Sequence, residues 1–123
     1  MEKILTIGGQ DIRFRATMKT LLIYKAQTGR EYLADIGKFS GLLRRGEDGK
    51  LLLRPDGKPE VNLEVLDTGV LCAIAWAMAK TADDTIPPME QWLDGFEEFP
   101  IMEILSELLR LVNASLKLDA KNA

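Results

Sequence analysis

Histidine is absent from this chain of 123 residues. The side chain that most often serves as general base near neutral pH, and most often binds metals, is therefore missing. Cysteine occurs once, as Cys72, which excludes an intrachain disulfide and a cysteine-based zinc site. A reducing compartment is the natural expectation. Long apolar runs are missing too. The longest, Val70 to Ala79, would extend roughly 15 Å as a helix, about half of a ~30 Å bilayer core. It is expected to be a buried helix and not a membrane span. Met1 is followed by Glu2, Lys3 and a short strand-like run, so no signal peptide is expected. The Asn113-Ala114-Ser115 sequon has no consequence without secretion. Positive charge is not in excess. Sixteen Lys and Arg stand against nineteen Asp and Glu, for a net charge of −3. Nucleic acid is thus not an expected partner, because phosphate contacts call for a basic face.

Catalytic signatures are equally scarce. No glycine-rich nucleotide fingerprint, nucleophile elbow or zinc motif occurs. Cys72 has no histidine to activate it, so a buried core thiol is expected there. Asp83-Asp84 and Glu97-Glu98 are adjacent in sequence and, on a helix or loop, point apart, which makes them poor paired ligands. The expectation is a protein that is not an enzyme, with no catalytic residue, metal or cofactor.

What is present suits a single globular domain: 46% hydrophobic and 28% charged residues. Residues 3–16 read as a β-hairpin. Ile4 to Ile7 is rich in strand formers, Gly8-Gly9 is a turn signal, and Asp11 to Ala16 alternates with period two. Ile12, Phe14 and Ala16 should face the core, and Asp11, Arg13 and Arg15 should face water. Thr17 should cap a helix from Met18 to about Thr28, with Gly29 ending it. Its apolar stripe reads as Met18, Leu21, Leu22 and Lys25/Ala26. A second helix is expected from Arg30 or Glu31 to Arg45, with Tyr32, Ile36, Phe39 and Leu43 on one face. Residues 44–62 read as a polar, turn-rich insertion, either mobile or an irregular hairpin. They match neither a calcium loop nor a phosphate loop. No internal repeat is expected anywhere in the chain.

The strongest helix signal runs from Asn62 or Leu63 to Lys80. Its half from Val70 to Ala79 is apolar all round, as a helix at the centre of a bundle should be. A short helix from Pro88 to Glu98 and a final helix from Pro100 to Leu116 or Leu118 complete the pattern. The whole is expected to be a mainly α small helical bundle with an N-terminal β-hairpin. It reads as one domain over residues 1–118, with a frayed tail at 119–123. Trp92, Phe96 and Phe99 have the i, i+4, i+7 spacing of one helix face. They either close the bundle or dock a partner, since Trp and Phe are enriched at interface cores.

The order of these segments resembles a known family. "ILTIGGQDIRFRAT" leads into a helix ending "YKAQTG". An alanine- and tryptophan-bearing "LCAIAWAMAK" then precedes an acidic break, "PPMEQWLDGF" and a leucine-rich helix. This is similar to the small tail assembly chaperones of tailed bacteriophages, in particular the siphophage type infecting Gram-positive hosts. The resemblance covers most of the chain outside residues 44–62.

It implies a non-enzymatic role in viral morphogenesis: coating the tape-measure protein in the host bacterial cytoplasm before the tail tube forms, then leaving, so that the mature virion lacks it. It also implies association with copies of itself, contact with the tail tube protein, and a longer form made by programmed ribosomal frameshifting. Ala120-Lys121-Asn122 can be encoded as GCA-AAA-AAC, which contains a slippery string. Trp92, Phe96 and Phe99 are then the candidate partner-binding residues, with no membrane involved. The alternatives are a structural or connector protein retained in a phage particle and, after it, a bacterial regulatory module that binds proteins.

Overall fold

Two glycines start the fold. Gly8 and Gly9 hold φ of 57° and 81°, the left-handed pair that closes a two-residue hairpin with the strands' own twist. Around them β1 (Glu2–Ile7) and β2 (Gln10–Arg15) pair antiparallel, with Leu5 opposite Ile12 and Lys3 opposite Phe14. Phe14 and Ala16 are buried, Ile12 is half-buried, and Asp11, Arg13 and Arg15 are exposed, as the alternation predicts. The computed structural model describes residues 2–39 and 41–116. The expected end of the last helix at Leu118, the frayed tail and the Ala120–Asn122 segment lie outside the described residues.

After the hairpin come α1 (Met18–Thr28), α2 (Tyr32–Gly37), a 3-10 turn (Leu63–Val65), α3 (Thr68–Ala82), α4 (Met89–Asp94) and α5 (Ile101–Leu116). The protein is mostly helical with an N-terminal two-stranded hairpin. Helix α3 is the hub and packs against β2, α1, α4 and α5. From Val70 to Ala79 every residue is buried except Cys72, which is half-buried. The expected core thiol is therefore only partly enclosed. Burial still pushes its pKa up, which disfavours the thiolate. Among the described residues no helix is long and apolar enough to cross a membrane.

Thr17 caps α1 as expected. Its side chain accepts from Lys19 N–H, Thr20 returns the bond, and Gly29 ends the helix at φ 72°. The expected apolar stripe is displaced, however. Thr20 and Tyr24 are the buried residues of α1, while Met18 and Leu22 are 65% and 71% exposed. Polar bonds set this rotation. The Thr20 hydroxyl meets the Thr81 hydroxyl at 2.8 Å, and the Tyr24 hydroxyl reaches Asp35. Both threonine and tyrosine thus pack inward with partners, which removes the usual cost of burying them.

Three helix boundaries also differ. The second helix stops at Gly37 and does not reach Arg45. Gly41, at φ 82°, takes a backbone conformation that a helix cannot contain. Helix α3 begins at Thr68, because the Asp67 carboxylate accepts from Val70 N–H and caps it there. Residues 63–65 form only the separate 3-10 turn. Helix α4 ends at Asp94 and does not reach Glu98.

Residues 43–61 hold an internal repeat that the sequence reading missed. Leu43-Arg-Arg-Gly-Glu-Asp-Gly-Lys50 and Leu51-Leu-Leu-Arg-Pro-Asp-Gly-Lys58 share Leu, Asp, Gly and Lys at matching positions. Each unit makes the same turn. Gly46 and Arg54 N–H donate to Lys50 and Lys58 O, and Gly49 and Gly57 N–H donate back to Gly46 and Arg54 O. Asp48 and Asp56 accept from Lys50 and Lys58 N–H. Gly49 and Gly57 hold φ of 79° and 85°. The three short arms 43–45, 51–53 and 59–61 close into a ring through the bridges Arg45–Leu51, Leu53–Pro59 and Val61–Leu43. At its centre Arg44 N–H donates to Glu60 O, Glu60 N–H to Leu52 O, and Leu52 N–H to Arg44 O, at 2.8–2.9 Å. The segment thus closes part of its backbone hydrogen bonding within itself, as a three-armed ring and not as a single hairpin.

Candidate functional site

The three sequence-predicted aromatics do meet, by a route other than the expected one. Only Trp92 lies within α4. Gly95 caps the helix, Phe96 N–H donates to Leu93 O, and irregular backbone follows, with Phe96 and Phe99 against Trp92. Ring centroids stand 4.9 Å apart for Trp92–Phe96, 6.4 Å for Trp92–Phe99 and 5.8 Å for Phe96–Phe99, all edge to face. This is the geometry that aromatic quadrupoles favour. Trp92 is buried, whereas Phe96 and Phe99 are half-buried and flanked by exposed Asp94, Glu97 and Glu98. The cluster thus divides its labour. Trp92 belongs to the core and fixes the position of two phenylalanines whose remaining surface faces outward.

A second feature was not singled out from the sequence. Asp35, only 2% exposed, joins α1 to α2. Arg30 donates to it twice, Nε to Oδ2 at 2.8 Å and Nη2 to Oδ1 at 2.7 Å. The Tyr24 hydroxyl donates to Oδ2 at 2.5 Å, and Lys38 Nζ stands 3.3 Å from Oδ1. The Arg30 bonds, with those of Tyr24 and Lys38, hold the Asp35 carboxyl well below the usual carboxylate range against the opposing effect of burial. Burial and the bond to Asp35 push Tyr24 up. Its neighbour Tyr32 packs edge-on at 5.4 Å. The buried Tyr32 hydroxyl has no hydrogen-bond partner among the described residues, and burial raises its pKa. Asp35, Tyr24 and Tyr32 are thus each shifted further from neutral pH. The arrangement is a structural clasp. The sequence signal for it was Arg30 just past the Gly29 cap with Asp35 five residues on, which periodicity alone does not read.

A third feature is the outer face of α1. Met18 and Leu22, one turn apart, are the most exposed large apolar pair on any helix among the described residues. Beside them an open groove is lined by Lys19, Ile23, Ala26, Gln27, Trp76, Lys80 and Asp84. Lys80 Nζ donates to the carbonyl oxygens of Asp84 and Ile86 at 2.7 and 3.0 Å. Arg13, expected to face only water, also donates to Ala82 O at 2.6 Å. It thereby answers a free carbonyl at the C-terminal end of α3.

Comparison of the chain with protein-family models, with curated proteins and with solved structures returned no match.

Proposed function

We propose that this protein is a non-enzymatic tail assembly chaperone of a tailed phage, which binds and shields the tape-measure protein during tail morphogenesis. The reading rests on the order of sequence segments described above. The observation that carries it is the outward pair Phe96 and Phe99 seated on buried Trp92. A long helical client with apolar stripes would aggregate unless those stripes were covered. Two aromatic rings held rigidly by a third offer a large contact area at small entropic cost on binding. The protein would act in the host bacterial cytoplasm and be absent from the mature virion. The tail tube protein and a frameshifted longer form of the chain would be further partners.

Co-expression tests this directly. The tape-measure protein should be recovered soluble, and in complex, only when this chain is present. Equal insolubility with and without it contradicts the proposal. Recovery of the chain at constant stoichiometry from purified virions favours a retained connector protein instead.

A further inference from the structure

Among the described residues nothing covers the outer face of α1, and its chemistry defines what would cover it. Met18, Leu22 and Ala26 follow one another at single-turn spacing, and all three are exposed. The half-buried Ile23 and the buried Trp76 are among the residues lining the adjoining groove. The segment Thr17–Arg30 contains Lys19, Lys25 and Arg30 and no Asp or Glu, within a chain whose net charge is −3. Lys19 has no acidic partner among the described residues, and Lys80 is fixed at the groove rim by two carbonyl oxygens. Lys25 pairs with Glu31 on the exposed surface, and the groove lining carries the ammonium groups of Lys19 and Lys80 against the single carboxylate of Asp84. The result is an apolar strip beside a shallow furrow with an excess of positive charge.

We propose that this face docks an amphipathic α-helix of a partner protein whose apolar stripe is flanked by carboxylates. A helix fits because its ridge enters a furrow between two helices, whereas a flat lipid surface would meet only the exposed Met18 and Leu22 beside it. The flanking charge follows from complementarity, which selects partners and speeds encounter. This site lies on α1 and α3, away from the Trp92 cluster on α4, and does not depend on the tape-measure reading.

Two synthetic helical peptides of about 20 residues, long enough to hold helical structure, test it. Both carry the same leucine stripe, flanked by Glu in one and by Lys in the other. Titration into the full chain, read by amide chemical shifts and fluorescence anisotropy, should show the Glu peptide binding at least about tenfold tighter. The shifts should centre on Met18, Leu22 and Ile23, and the affinity should fall with salt. Leu22→Glu should abolish the preference. Lys19→Glu, which leaves the apolar strip intact, should narrow it. Equal affinity for both peptides overturns the proposal, as do shifts centred on Phe96 and Phe99. Binding of phosphatidylglycerol vesicles through the same residues overturns it in favour of a membrane. Concentration-dependent self-association that Leu22→Glu abolishes overturns it in favour of a second copy.

Discussion

Trp76 donates its indole N–H to the carbonyl oxygen of Pro87 at 3.0 Å. That single bond ties the middle of α3 to the segment leading into α4. The ring is 6% exposed, so it contributes both packing and a satisfied donor. Trp76→Ala should destabilise the protein by roughly 3–5 kcal/mol in urea unfolding. Trp76→Phe keeps most of the packing and loses the donor, and should cost about 1–2 kcal/mol. A loss below about 1 kcal/mol for the alanine variant would mean that the indole is not core.

The Asp35 clasp gives a dependence on pH. Its folded pKa is depressed below the ordinary 3.8, so the unfolded chain binds the proton more readily than the folded one. The contribution is complete above about pH 4 and is lost as pH falls through the folded pKa. Asp35→Asn should cost about 2–3 kcal/mol at pH 7, the scale of hydrogen bonds to a charged group. The half-exposed partners Arg30 and Lys38 return to water, which keeps the loss moderate. Unfolding curves for wild type and variant should converge as pH drops from about 4 to 2. A gap that stays constant over that window contradicts the assignment.

The hairpin, the α1 cap and the central burial of Val70–Ala79 were legible because each is a local pattern. Period-two alternation, a capping threonine and an unbroken apolar run need no knowledge of distant residues. The register of α1 was not legible. Hydrophobicity favoured Met18 and Leu22 as core, but Thr20 and Tyr24 bury instead because Thr81 and Asp35 wait for their hydroxyls. Those partners are 61 and 11 residues away in sequence. The aromatic cluster was legible in membership only. Trp92, Phe96 and Phe99 do converge, yet Phe96 and Phe99 lie beyond the end of α4 on irregular backbone that helical spacing does not anticipate. The repeat in 43–61 was present in the letters as two Asp-Gly-Lys turns. Its eight-residue spacing, Asp48 to Asp56 and Lys50 to Lys58, is what marks it as a repeat.

The two turns of that repeat should be interchangeable. Glu47 occupies the position that Pro55 holds in the second unit, and its N–H makes no backbone bond among those described. Glu47→Pro should therefore stabilise the protein by about 0.4–1 kcal/mol, by restricting the unfolded chain. The urea midpoint would report it. A lower midpoint would show that the two turns differ in backbone conformation.

The ring also predicts that the segment is separable. Asn62 N–H donates to Leu42 O at 2.7 Å, so the ends of the insertion are already adjacent. Replacing residues 43–61 with an Asn-Gly turn should preserve the helical circular dichroism and cooperative unfolding of the remaining chain. A molten or unfolded product would show that the ring is part of the core.

Binding of the tape-measure protein through Phe96 and Phe99 is the central claim, and one measurement meets it most directly. Phe96→Ser and Phe99→Ser, made singly, are each co-expressed with the tape-measure protein, and the soluble complex is quantified by pull-down. Each variant's thermal unfolding is recorded alongside. Half-buried rings should cost the fold only about 1–2 kcal/mol on substitution. Removal of an aromatic anchor from an interface should reduce recovered complex about tenfold or more. Folded variants that bring down as much tape-measure protein as wild type would contradict the account.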